Sequence, residues 1–384
     1  MMNNEQKLFS LYIHWPFCST KCNYCDFVAF EQHQDFQEAY HHALLKEIEH
    51  FVATNPLYHP DITTIFIGGG TPSLYPLEYM SQLFDTLKKH FNFSGIKELS
   101  MEANPADISE ERLDAWDSFG INRLSMGVQV LDDNVLLKLN RRQRTADVHN
   151  ALRMIPKYFN NFSMDFILGL PGVSDSTWDA SITCALESQA KHVSVYFLMV
   201  HEKTPLYFEV KKGNVKLKDD MQIIAQHEHT IARLTAGGFE QYEISNFARP
   251  GYASIHNQAY WERLPYQGFG IGACSFDGTQ RFMNEKNLTT YLTNVFNKNF
   301  ENLSTCEKLT PDQEKLEMLM LGLRQNKGVG LHRVVYCLDK EKKQRIFDTL
   351  ELLKSQGLIV QNNDQIRLTL KGMALENEII LKLI

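Results

Sequence analysis

The chain has 384 residues, of which 43% are hydrophobic and 22% charged, with a formal net charge of −7. It can bury a full core, which excludes a disordered chain, and it lacks the basic excess of a protein whose main business is gripping nucleic-acid backbone. No apolar run approaches the ~20 residues of a membrane span, and the opening Met1–Phe17 stretch carries no signal-peptide pattern. A cytoplasmic protein without a disulfide framework is expected, with no nucleic-acid partner and at most peripheral membrane contact.

The first two-thirds alternate strand and helix signals. Short β-rich runs occur at Leu8–His14, Ile62–Ile67, Glu98–Glu102, Arg123–Gln129, Met164–Leu168 and Val193–Leu198. Helical patterns fall between them. In the clearest, Asp35–Val52, the side chains of Phe36, Tyr40, Leu44, Ile48 and Phe51 form one apolar stripe, and Asp35 and Glu38 are spaced as a capping box. Six strand–helix repeats predict an α/β fold with a parallel sheet and right-handed crossovers, either open or curved into a partial barrel. In both cases ligands gather beyond the C-terminal ends of the strands.

From about Tyr242 to Phe300 the alternation stops, in a stretch rich in aromatics, Asn and Gly that contains His256–Trp261. After Thr310 helical patterns return at Glu314–Leu323 and Lys342–Gln356. Two short strands follow, Leu358–Val360 and Ile366–Leu370, around Asn362–Asn363–Asp364. Two helices and a small hairpin predict a winged-helix-like domain. Its nearly balanced charges favour packing or protein interaction over DNA binding. The expected division is a core at 1–240, a connecting segment at 241–305 and a C-terminal domain at 306–384.

Seven cysteines are present. Cys184, Cys274, Cys306 and Cys337 are scattered, whereas Cys18, Cys22 and Cys25 fall within eight residues directly after the first strand. Three thiolates suit a [4Fe–4S] cluster with one iron left open. A zinc site of three cysteines completed by His14 or His33 is the alternative, weakened because no second ligand pair stands at finger-like spacing.

The spacing of these cysteines, with Tyr24 before the third, resembles the signature of the radical S-adenosylmethionine superfamily. The resemblance implies a partial (β/α)6 barrel, in agreement with the six strands counted independently, and S-adenosylmethionine chelated to the open iron. Ile65–Phe66–Ile67 runs into Gly68–Gly69–Gly70–Thr71–Pro72. Alone this reads as a tight turn. Beside the cysteines it resembles the family motif that holds the amino group of S-adenosylmethionine, which implicates Gly69, Gly70 and Thr71. Glu102, Gln129, Arg141 and Asp165 are polar at or just beyond later strands, where an apolar residue is expected and an unsatisfied buried group costs ~1–3 kcal/mol. As a set they match positions that contact S-adenosylmethionine in the coproporphyrinogen-oxidase-like branch. By that resemblance Tyr12 lies near the cluster, Asp165 meets the ribose, and Arg141 approaches the carboxylate end.

Within the branch two subfamilies compete, the oxygen-independent coproporphyrinogen III oxidases and the HemW-type haem chaperones. The oxidase pattern continues to a fourth cysteine where this chain has Phe27, and it has a longer stretch before the first cysteine. His256–Asn257–Gln258–Ala259–Tyr260–Trp261 matches the HNxxYW motif of the chaperone branch. His256 is then a candidate haem ligand, with Asn257, Tyr260 and Trp261 beside it. A packed loop is the plain alternative. The resemblance implies haem as cargo and acceptor haem proteins of the respiratory chain as partners, with a homodimer left open. The alternatives are a coproporphyrinogen III oxidase or a radical enzyme acting on an unrelated substrate. Two stretches depart from the branch pattern. Cys274 stands where His is common and reads as a small buried residue ahead of a haem thiolate. Asn140 and Gln143 replace Gly and His. Cys184, Cys306 and Cys337 read as helical core.

Overall fold

The computed structural model describes residues 9–55, 61–336, 338–373 and 375–383. Six parallel strands carry the barrel: β1 (Phe9–Trp15), β2 (Ile62–Gly69), β3 (Glu98–Ala103), β4 (Arg123–Gln129), β5 (Phe162–Leu168) and β6 (His192–Phe197). Each coincides with an expected run to within two residues, apart from Leu8, which lies outside the described residues. The strands are buried along nearly their whole length, as in β1 and β4. That pattern belongs to a parallel sheet covered on both faces.

The stretch from Tyr242 to Phe300, expected to be irregular, extends the sheet on both sides. After β7 (Glu240–Gln241), β8 (Asn246–Ala248) pairs antiparallel with β6. β9 (Tyr266–Phe269) pairs parallel with β1, then β10 (Cys274–Phe276), β11 (Gln280–Asn284) and β12 (Ser304–Lys308) follow antiparallel. The twelve strands run β12–β11–β10–β9–β1–β2–β3–β4–β5–β6–β8–β7, an open curved sheet rather than a closed barrel. These strands escape a periodicity search because they are only two to five residues long.

The first helix runs Gln37–Thr54 after a 3-10 turn at Gln34–Phe36. No side chain caps it, so the expected Asp35–Glu38 capping box does not form. Asp35 is already inside the preceding turn. The apolar stripe is buried at Tyr40, Leu44 and Ile48. Fully buried Trp15 stacks on Tyr75 with ring centroids 3.7 Å apart, tying β1 to the turn after β2.

A separate core gathers Leu319, Leu323, Ile346, Leu350, Leu353 and Ile366. Here helices Pro311–Leu323, Leu331–Val335 and Lys340–Ser355 pack with the three-stranded sheet Val329–Gly330, Gln365–Leu368 and Ile359–Asn362. This is the winged-helix arrangement. The last strand ends at Leu368 instead of Leu370, because a helical turn starts there. Among the described residues no helix is long and apolar enough to cross a membrane.

Candidate functional site

Cys18 closes a short parallel pairing of Phe17–Cys18 with Phe30–Glu31, and the loop from Ser19 to Ala29 bulges between them. That loop is fastened from both sides. The Gly70 N–H donates to the Trp15 carbonyl at 2.7 Å and the Thr71 N–H to Phe17 at 3.1 Å. The Asn23 N–H donates to Leu139, and Asn140 Nδ2 to Lys21. The three glycines are there for closeness. A Cβ at Gly70 would meet the Pro16 backbone at 2.7 Å and the Cys18 sulfur at 3.0 Å. Gly69 has φ +119°, and a Cβ there would lie 2.7 Å from the His14 ring. Only glycine fits.

The thiols meet specific donors. Thr71 Oγ1 donates to Cys18 Sγ at 3.3 Å and Arg141 Nη1 to Cys22 Sγ at 3.4 Å. Burial pushes the Cys18 thiol up to about 11 and raises Cys25 as well. Iron binding therefore has to displace thiol protons, the usual coupling at a thiolate site. His14 is not free to complete a zinc site. Its Nε2 donates to the Val28 carbonyl at 2.8 Å and its Nδ1 accepts from the Tyr12 hydroxyl at 2.9 Å. His33 bonds the Glu31 carbonyl through Nδ1. Among the described residues no three His, Cys, Asp or Glu side chains are grouped to hold a single metal ion. Cys18, Cys22 and Cys25 nevertheless line one cavity on this loop, and a set of cysteine thiols is the donor type that holds an iron–sulfur cluster.

A cavity of about 520 Å³ opens over this loop, at the C-terminal ends of the strands. It brings together Cys18, Cys22, Tyr24, Cys25, Gly69, Gly70, Thr71, Glu102, Gln129, Arg141 and Asp165, with Asn257 from a distant segment. Glu102 Oε2 accepts from the Gly69 N–H at 3.1 Å, and burial raises its carboxyl to about 7. Both Asp165 oxygens accept serine hydroxyls, from Ser125 and Ser163, at 2.6 Å each. Burial alone would lower Arg141, but Tyr24 and Cys22 outweigh it and raise the guanidinium further. Gln143 is completely buried and accepts Arg141 Nε at 3.0 Å. Asn140 has φ +57°, a conformation Gly and Asn take most easily, so its replacement of Gly keeps the turn.

The HNxxYW residues sit on the short helix Ile255–Trp261 and point to four different surroundings. Asn257 lines the cluster-side cavity. His256 is buried in the barrel wall, stacked on Phe66. Thr64 gives its hydroxyl hydrogen to Ser10, so His256 Nδ1 donates to Thr64 at 2.7 Å and Nε2 accepts from the Tyr260 hydroxyl at 3.0 Å. Burial lowers the ring to about 3, which keeps it neutral. Tyr260 and Tyr12 line a second cavity, of about 530 Å³. Trp261 faces the C-terminal domain, with the Arg324 guanidinium 4.7 Å above its ring.

Three residues were not anticipated in their places. Glu98, inside an expected strand, accepts from Ser254 Oγ, the Ile255 N–H and the His256 N–H at 3.0, 2.7 and 3.3 Å, anchoring that helix from across the barrel. An acidic residue in a strand buried on both faces was the available signal. Cys274, read as a small buried residue, is instead exposed on the wall of the second cavity. Cys306 also departs from expectation. It lies exposed on β12, because that edge strand leaves its outer face in solvent. Cys184 is half-buried against the main core, and Cys337 lies outside the described residues.

Residues 12–185 match the model of the radical SAM superfamily, and 309–375 match the HemN C-terminal domain. The chain is 36% identical over 372 residues to the heme chaperone HemW of Bacillus subtilis, covering 96% of this chain and 97% of that protein. The chain belongs to the HemW-type branch of the radical SAM superfamily. A second HemW-type relative, from Synechocystis, is 34% identical across 88% of this chain and 83% of its own length. The solved coproporphyrinogen III oxidase (HemN) from Escherichia coli, described as a radical SAM enzyme, superimposes with a TM-score of 0.83 at 25% identity. The match covers 98% of this chain and 90% of that one. This chain thus shares the oxidase's fold over nearly its full length.

Proposed function

We propose that this protein is a haem chaperone: it binds haem and passes it to acceptor haem proteins, those of the respiratory chain included. Cys18, Cys22 and Cys25 hold a [4Fe–4S] cluster, and the 520 Å³ cavity above them takes S-adenosylmethionine. When bound, the cluster supplies one-electron chemistry to S-adenosylmethionine. The chain's own residues hold and orient. Thr71 and Arg141 donate to the sulfurs, which favours thiolates over thiols. Glu102, with Oε2 engaged by Gly69, and Asp165, held by Ser125 and Ser163, line that cavity and would take the ammonium group and the ribose hydroxyls respectively. The same reading places the protein in the cytoplasm, with no nucleic-acid partner, and allows a homodimer.

The observation that carries this reading is the Ile255–Trp261 helix. It reaches the cluster-side cavity through Asn257 and the neighbouring cavity through Tyr260, and Glu98 and Ser254 fix it in place. Phe27, 64% exposed, occupies the loop position between the two cavities where the oxidase pattern has its fourth cysteine. The test is an anaerobic hemin titration of the cluster-reconstituted protein, followed by its Soret band with and without S-adenosylmethionine. Saturable binding with a stoichiometric end point is expected. Weak, non-saturating binding rejects the chaperone reading.

The superposition on HemN supports a second reading, oxidative decarboxylation of coproporphyrinogen III. It requires product formation with consumption of S-adenosylmethionine, measured under the same anaerobic conditions.

A further inference from the structure

The second cavity has a chemical character of its own. It lies between β1, the β9–β11 strands and the helix Pro311–Leu323, so both cores contribute to its walls. At about 530 Å³ it falls in the usual range for ligand sites, roughly 300–1,000 Å³. Flat rings dominate: Tyr260 and Tyr266 meet edge to face at 4.6 Å, and Phe276 stands 6.5 Å beyond Tyr266. The charged groups are unevenly matched. Arg263 and Arg281 share Glu317, at 3.3 and 2.8 Å. Lys286 has no ion-pair partner among the described residues, and Asp26 is engaged by His201. Three cations, Arg263, Arg281 and Lys286, therefore face two carboxylates, Glu317 and Asp26, and the wall carries a net positive charge. On the same wall Cys274 is exposed, and no hydrogen bond reaches its sulfur among the described residues.

Aromatic walls, an excess of positive charge and one accessible thiol suit a flat apolar ligand that bears carboxylates and a thiophilic metal. The geometry points to this cavity as the seat of an iron porphyrin, with Cys274 as the sulfur ligand to iron and Lys286 and the arginines facing the propionates. The assignment rests on the haem-chaperone reading and gives that reading a place and a ligand. His256 is not the ligand in this arrangement, because its Nε2 lone pair is already taken by the Tyr260 hydroxyl. It acts as a positioning residue that holds Tyr260 on the cavity wall. Ligation replaces the S–H bond by an S–Fe bond. The thiol proton goes to water and the iron keeps its ferric state. Burial pushes the thiol up while Lys286 and Arg281 pull it down, so the cations that face the propionates also assist thiolate formation.

The test uses the full chain with its cluster reconstituted, so that the three loop thiols are occupied. Hemin and metal-free protoporphyrin IX are titrated into wild type, Cys274→Ser and Lys286→Glu. Both substituted side chains are exposed and make no side-chain hydrogen bond or ion pair among the described residues, and circular dichroism checks each fold. Wild type is expected to show the low-spin thiolate signature of ferric haem in electron paramagnetic resonance. Cys274→Ser should lose that signature and weaken hemin binding at least about tenfold, leaving the metal-free porphyrin unaffected. Lys286→Glu should weaken both ligands severalfold. Hemin binding with unchanged affinity and spectrum in both variants overturns this site and leaves the chaperone reading standing. Absence of saturable hemin binding in wild type rejects the chaperone reading itself.

Discussion

Gln143 holds Arg141 in place. Its Oε1 accepts Arg141 Nε at 3.0 Å and Asn104 Nδ2 at 3.0 Å, while its Nε2 donates to the Gly127 carbonyl at 3.0 Å. The same Gly127 carbonyl accepts Arg141 Nη2, so the guanidinium reaches Cys22 along a fixed line. Gln143→Leu leaves the Arg141 Nε and the Asn104 amide without their acceptor, at a cost of ~1–3 kcal/mol. Cluster occupancy after anaerobic reconstitution should fall, as read by iron and sulfide content. Gln143→His should lose less, because an imidazole nitrogen can still accept from Arg141.

The loop from Gly268 to Ser275 depends on Glu47. This buried carboxyl accepts from the Gly270 N–H at 2.9 Å, Tyr291 Oη at 2.6 Å and Asn284 Nδ2 at 2.7 Å. Burial raises it to about 7, against the opposing pull of those bonds. A carboxyl raised in the folded state binds its proton where the unfolded chain has already lost it. Its contribution therefore weakens stability as pH rises from the ordinary carboxyl range through about 7, by ~3 kcal/mol in total. Denaturant titrations at pH 5 to 8 should show Glu47→Gln losing this slope. The variant should gain on wild type as pH rises to about 7, and the difference should level off above that.

The barrel and the C-terminal domain meet through a buried ion pair. Arg324 Nε lies 2.7 Å from Glu243 Oε2, the carboxylate is completely buried, and the guanidinium covers Trp261. Arg324→Ala strands that carboxylate, with an expected loss of about 3–5 kcal/mol in chemical unfolding. Adding Glu243→Gln should restore much of it, because the uncompensated charge is then gone.

Glu98 provides the other anchor of the motif helix. Removing its side chain in Glu98→Ala orphans the Ser254 hydroxyl and two N–H groups of the helix start. The expected cost is about 2–3 kcal/mol, together with weaker hemin binding. Thermal unfolding and the hemin titration measured on the same sample separate the two effects. Lost stability with unaltered hemin affinity refutes the positioning role.

The sequence by itself determined the strand set of the barrel, the cysteine loop and the glycine turn. These are local signals: β-rich runs of five to seven residues, three thiols within eight residues, and three glycines where a Cβ has no room. Glu102, Gln129, Arg141 and Asp165 were legible as well, since polar groups at strand ends stand out against an apolar background. Only the tertiary structure decided what His256 and Cys274 do. A histidine beside a tyrosine reads the same whether its nitrogens are open or engaged. Here Thr64, 192 positions away, and Tyr260 engage both. A cysteine after a glycine-rich stretch reads as core until β10 turns it outward, opposite Met283 of β11. Hydrogen-bond saturation and solvent exposure are set by residues remote in the chain, and no local pattern records them.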